Sequence, residues 1–331
     1  QRYSLIDQKE SKLAFVDVAV AYKPIEQLSF AAGFLLFSGF YNARIAFNAN
    51  PRDRLLGAPE DRSYDSVAQL NAGFIAAPGF NLGVQATPHE AVRLGASLQS
   101  GFAIKTPADL SVRLPDAAPF DRASVRGNNA TLRFSLPWVA RFGVEVRPIP
   151  PLRIEAAMTY DFWSGTRSLD VAPDNVQLLN ITGFPSPYRI SPISIPLALK
   201  DGPTYRLGAE YKIEKLPRKI RRMHIADAIA FRTGVMIDPS ATPYDYSSVL
   251  TFDLDKVHLG FGVSTYAWKN WRFDIMYMHT FIATRDVNPR TAAISGVNPV
   301  RGNPTATEAV NGGTYSGYAN TLGVGLEYKF R

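Results

Sequence analysis

From residue 13 to residue 330 the chain repeats one pattern: apolar and polar side chains alternate with period two. In the last run Leu322, Val324, Leu326, Tyr328 and Phe330 share one face, against Thr321, Gly323, Gly325, Glu327 and Lys329. Runs centred on Met158, Leu207, Leu259 and Ile275 behave alike, with Arg, Glu, Lys, Gly and Ser on the polar side. Shorter stretches around 14–22, 80–86, 92–99 and 140–147 repeat it. A soluble sandwich also alternates, so period two alone leaves two architectures open. Strand length separates them. These runs span roughly 10–14 residues, longer than the usual 5–6 of soluble sheets and suited to a tilted membrane crossing.

Connection lengths point the same way. Lys23–Gln27, Thr87–Glu90, Pro148–Pro151 and Trp268–Asn270 are tight, whereas 48–66, 106–123, 172–191, 239–255 and 288–315 are long. Short periplasmic turns alternating with long extracellular loops are the signature of an outer-membrane barrel. Aromatic residues such as Tyr22, Tyr160, Trp163, Trp268, Trp271 and Phe330 mark the strand ends, as interfacial girdles do.

Composition agrees by exclusion. Mean hydropathy is −0.08, and no window approaches the roughly 18 apolar residues of a spanning helix. Lys and Arg number 36 against 29 Asp and Glu, a net charge of +7. One basic cluster, Arg218, Lys219, Arg221 and Arg222, stands out, and no nucleic-acid partner is expected. With no cysteine among 331 residues, thiol catalysis, Cys-ligated zinc and disulfides are excluded. The chain opens at Gln1 without a signal-like apolar stretch, which reads as a processed or truncated product.

The expected architecture is all-β: one antiparallel transmembrane barrel domain over 1–331, with both termini periplasmic. The runs divide into eleven strands, over 13–23, 28–47, 67–87, 91–105, 124–147, 151–171, 193–213, 227–238, 256–267, 271–287 and 316–330. Bacterial barrels are even-numbered, so twelve to fourteen strands are expected, with at least one preceding the first run.

Several motifs, taken in chain order, resemble the FadL type of outer-membrane transporters for long-chain fatty acids and hydrocarbons. These are Ala21-Tyr22-Lys23-Pro24, Leu136-Pro137-Trp138, Tyr160-Asp161-Phe162-Trp163-Ser164, Leu199-Lys200-Asp201 with Tyr205-Arg206-Leu207-Gly208, and Phe231-Arg232-Thr233-Gly234 followed by Asp238-Pro239-Ser240 and Pro243. The resemblance implies a 14-stranded barrel with an N-terminal hatch and a kinked third strand that opens sideways into the bilayer. No hatch precedes the first run here, and the connection 214–226 is long and basic where the family's turn is tight.

Candidate residues follow. Leu35 and Phe37 place apolar side chains on the inward face of 28–40, next to Gly39. A strand glycine marks a bulge or kink, so these three are candidates for a hydrocarbon path, or else for packing against an inward-folded segment. Lys200 falls in register with the inward positions 204–212; the resemblance places a basic group there, suited to a fatty-acid carboxylate, while a bond to Asp201 or a neighbouring Glu is the plainer reading. Met236, Met276 and Met278 lie opposite the apolar rows of their strands and suit an adaptable apolar lining, or merely fill gaps. The basic cluster, in a periplasmic segment, is a candidate for docking a protein partner or anionic lipid headgroups.

None of His89, His224, His258 and His279 has a second ligand at metal spacing, and no catalytic or cofactor motif is present. The expected function is passive outer-membrane transport of a hydrophobic small molecule or fatty acid, without enzyme activity, cofactor or metal. Its surroundings are outer-membrane lipid and lipopolysaccharide, with a possible protein partner. The alternative is a scaffold barrel anchoring a larger envelope complex.

Overall fold

The computed structural model describes residues 5–50, 61–214, 216, 226–268, 270–296, 298, 300 and 309–330. The first strands are β1 (Leu5–Asp7), β2 (Lys12–Ile25), β3 (Leu28–Asn48), β4 (Asp65–His89), β5 (Val92–Gln99) and β6 (Phe102–Arg113). Then come β7 (Ser124–Arg126), β8 (Asn129–Leu136), β9 (Val139–Ile149), β10 (Leu152–Asp161), β11 (Ser168–Pro173), β12 (Gln177–Leu179), β13 (Tyr188–Arg189) and β14 (Ile193–Pro196). The last are β15 (Gly202–Ile213), β16 (Ala228–Asp238), β17 (Lys256–Ala267), β18 (Trp271–Val287) and β19 (Gly313–Tyr328).

Four crossings are broken in two: β5 with β6, β8 with β9, β10 with β11, and β14 with β15. Counted as ribbons, eleven antiparallel crossings run from β2 to β19 in chain order, the meander that short hairpins dictate. They match the eleven runs of alternation one for one. The expected twelve to fourteen strands are not reached among the described residues. That count came from the even-number rule for complete barrels; the described sheet begins and ends on strands of the same direction. β2 and β19 each pair on one side only among the described residues.

Alternation sets the two faces. Outside, Phe231, Leu207, Phe261, Ile275, Leu322 and Val324 stand exposed in rows, an apolar band suited to lipid. Where a strand of that band has neighbours on both sides, cross-strand hydrogen bonding satisfies its backbone, which hydrocarbon requires. Phe330, 90% exposed, ends the outward row, while Glu327 turns inward to Arg272 at 2.6 Å.

Inside, toward the short turns, charges alternate along the wall. Glu145 meets Arg93 at 3.7 Å and Arg153 at 3.6 Å. Arg153 meets Glu210 at 3.7 Å, and Glu210 meets Arg232 at 2.5 Å. Asp274 then joins Arg232 at 3.5 Å and Arg272 at 3.0 Å. Each half-exposed pair contributes little to stability; together they make this end of the wall polar.

The long-loop end is different. Leu70, Leu110, Ala130 and Leu132 on the inner wall pack against Phe120, Leu178, Ile181 and Val300 from the loops. A small sheet of β7, β12 and β13 stiffens this cap. Asn298 donates to the Asn50 carbonyl at 2.9 Å, so the last long loop reaches the first across the mouth.

Candidate functional site

The four broken ribbons break at one level. Ser100–Gly101 separates β5 from β6, Pro137–Trp138 separates β8 from β9, Phe162–Gly165 ends β10, and Leu197–Asp201 precedes β15. Local chemistry explains the breaks: Pro137 offers no N–H, and Ala198 adopts φ 49°. Side-chain and backbone bonds bridge them. Phe162 N–H donates to the Trp138 carbonyl at 3.0 Å, and Asp201 accepts from Ser164 N–H at 2.7 Å. Each break also resets which residues face in. On β9 odd positions such as Arg141 and Glu145 point inward, while on β8 the even positions Leu132 and Phe134 do.

At this level lies a chamber of about 470 Å³. Tyr41, Phe134, Leu136, Trp163, Leu199 and Leu250 give it apolar walls, and Asp161, Thr204, Asp238 and Thr242 add polar points. Tyr41 on β3 and Asp238 on β16 line one cavity although five ribbons lie between them in sheet order, which shows how far the sheet curls. The motifs that carry the family resemblance supply much of the lining: Leu136, Asp161, Trp163, Leu199, Asp238 and Pro239.

The roof is the loop 239–255. Ser240 bonds to the Asp253 carbonyl at 2.6 Å. Buried Arg285 donates to the Thr242 carbonyl at 2.9 Å and to Ser247 at 2.8 Å. Fully buried Asn311 donates to the carbonyls of Asp245 (2.7 Å) and Ser247 (2.9 Å) and accepts from Ile294 N–H at 3.0 Å. Asn311→Leu strands three backbone groups, each costing about 1–3 kcal/mol. Proteinase K should then cut within 245–251 at least tenfold faster, with the barrel itself still resistant; an unchanged rate would mean that Asn311 does not hold the roof.

Beside the chamber the wall itself is interrupted. β4 pairs with β6 up to Ala72↔Ala108 and with β5 from Asn81↔Gln99. Phe80 and Ser100 are still bonded at 2.9 Å. Between these points residues 73–79 face 101–107 with no register pair, a seam about seven residues long, or about 23 Å at strand rise. Pro78 on one lip and Pro107 on the other have no N–H for a ladder. Inside the seam Leu35, Phe37, Ile75, Ala77, Phe102 and Ile104 form a buried apolar cluster, against which Tyr41, Phe134 and Leu136 of the chamber also pack. Phe37 lies 5.1 Å from Phe15 and 5.9 Å from Phe102, ring to ring. On the outer side Phe74, Ala76 and Pro78 are exposed.

Gly39 sits in the neighbouring bulge. The β3–β4 register steps from Gly39↔Ile75 to Tyr41↔Ala72, so Phe40 opposes both Gly73 and Phe74. Gly39 has φ +146°, and a side chain there would overlap the Lys12 carbonyl. β2 thus runs tight against the kink.

The structure brings Leu35, Phe37 and Gly39 together at the seam but leaves the other candidates elsewhere. Lys200 does not line the chamber; it is exposed, and the break at 197–201 puts Leu199 inward instead. Its expected register with 204–212 fails because the strand starts only at Gly202. Asp201 is bonded to Ser164 and is not Lys200's partner. Met236 and Met278 line a separate hollow below the chamber, with Arg206 and His258, and Met276 lies across Gly323. Arg218, Lys219, Arg221 and Arg222 fall outside the described residues. The seam and the polar pair Asp161 and Thr242 went unread in the sequence; Pro78 and Pro107 inside strands were its visible signal.

Known structures share this fold. A Pseudomonas aeruginosa FadL homologue matches with TM-score 0.61 at 16% identity over 96% of this chain and 66% of its own. The Pseudomonas putida toluene transporter TodX gives 0.54 at 14% over 83% and 65%. The Ralstonia pickettii toluene transporter TbuX gives 0.54 at 16% over 96% and 68%. The chain thus spans about two thirds of the length of these proteins. Among curated protein sequences none matches it. The family model for outer membrane protein transport proteins (OMPP1/FadL/TodX) matches residues 9–330, and the chain belongs to that outer-membrane family.

Proposed function

We propose that the protein is a passive channel for small apolar molecules, which enter the chamber from the long-loop side and leave sideways through the seam into the outer membrane. One observation carries this reading: the apolar surface is continuous from the chamber, through Tyr41, Phe134 and Leu136, to the cluster behind the unpaired stretch 73–79 and 101–107. The route downward instead passes Arg206 and then the row of ion pairs. Desolvating an apolar molecule gains about 25 cal/mol per Å², which favours the greasy wall over the charged one. A chamber of about 470 Å³ suits a ligand of hydrocarbon size, the class carried by the toluene transporters of this fold. Entry and exit then need no energy source, only a gradient.

The absence of cysteine makes a clean test possible. Ala76→Cys and Ala103→Cys, one on each lip, are joined with a reducible bifunctional cross-linker. Uptake of a small hydrocarbon should fall at least tenfold and return on reduction. Uptake that ignores the cross-link would remove the lateral route and leave the scaffold reading.

A further inference from the structure

We propose that the chamber prefers apolar molecules ending in a hydrogen-bond donor, an alcohol or an amine, over carboxylates of equal length. This rests on the channel reading and names the ligand class of its chamber. Two polar groups there lack partners. The Asp161 carboxylate, at the end of β10, makes no hydrogen bond or ion pair among the described residues while facing the cavity. Thr242 in the roof is only 3% exposed, lines the same cavity, and its hydroxyl has no partner among the described residues. A buried, unpaired polar group is costly unless something satisfies it.

Among the described residues no nearby cation bonds Asp161 directly. Lys256 spans Asp238 (3.3 Å) and Asp253 (2.6 Å). Arg141 donates to Gln99 at 3.1 Å and Arg206 to Thr159 at 2.6 Å; both partners are neutral, so the two guanidiniums keep their charge and act on Asp161 through space, without bonding it. Among the described residues no lysine or arginine lines the chamber, and Lys200 is exposed outside it. An incoming carboxylate therefore meets a like charge at Asp161 in surroundings of reduced dielectric. A hydroxyl or ammonium group instead donates to that carboxylate, and the Thr242 hydroxyl, closed off within the roof, serves the ligand's second lone pair or proton once its rotamer turns into the cavity.

Decanol, decylamine and decanoate, titrated calorimetrically into the purified protein in a neutral detergent, separate these cases. Decanol and decylamine should bind at least tenfold more tightly than decanoate. Asp161→Asn should erase the advantage of the amine and strengthen decanoate, and Thr242→Val should weaken decanol about fivefold. Decanoate binding as tightly as the others, or ratios unmoved by Asp161→Asn, would overturn the preference while leaving the channel reading intact. If none of the three binds, or if Leu199→Trp, which fills the chamber, leaves their binding unchanged, the chamber is no ligand site and both readings fall.

Discussion

Phe37→Asp is expected to cut uptake of a small hydrocarbon about a hundredfold while leaving a barrel that still shows heat-dependent gel mobility. Phe37 is 3% exposed and sits where the apolar cluster meets the seam, between Phe15 and Phe102. A carboxylate there is desolvated by any apolar molecule passing it. A penalty of about 3 kcal/mol, modest for a buried charge, already corresponds to two orders of magnitude in rate. The barrel survives because β3 is held on both sides by long ladders to β2 and β4. Phe37→Ala is the control: it costs about 3–5 kcal/mol of stability but leaves the path greasy, so uptake should persist. Uptake by Phe37→Asp at the rate of the Ala variant would show that nothing apolar passes this residue.

Period two made the lipid face legible, because from Tyr205 to Phe330 the strands keep one parity across the lipid band, and the step past Ile282 on β18, which turns Arg285 and Val287 inward, comes only beyond it. The site was harder to read because parity changes there. On β4, Leu70 and Ala72 face inward at even positions, yet Ile75 and Ala77 do so at odd ones. The bulge at Gly73 and Phe74 turns the strand over between them, and a one-residue slip moves every side chain to the other face. The break at 197–201 likewise leaves Lys200 off the chamber, so a register argument drawn from residues 204–212 pointed to the wrong neighbour. Motif resemblance fared better at this level than periodicity did. Leu136-Pro137-Trp138 and Leu199-Lys200-Asp201 are short sequences that build breaks, and the breaks shape the chamber. Thr242 was beyond any pattern: its burial depends on a roof folded down by Arg285 from β18 and by Asn311 from the loop before β19.

Gly39→Val should be the most disruptive single change in the wall. Two costs add. At φ +146° a β-branched residue sits in a region essentially reserved for glycine, at about 1–3 kcal/mol. Its Cβ would also overlap the Lys12 carbonyl oxygen and come within 2.8 Å of that carbonyl carbon, and β2 is backbone, with no flexible tip to swing aside. The chain has two ways to relieve this. It can push β2 away, losing ladder bonds around Lys12↔Phe40 and Leu13↔Gly39. Alternatively it can straighten β3 and abandon the bulge, which shifts Tyr41 off Ala72 and turns a chamber wall outward. Either course lowers the urea midpoint, and the second also abolishes uptake in whatever barrel assembles. Gly39→Ala keeps the same overlap with less bulk and should fall between. A Gly39→Val barrel with unchanged urea midpoint and unchanged uptake would mean that the kink neither strains the wall nor shapes the path.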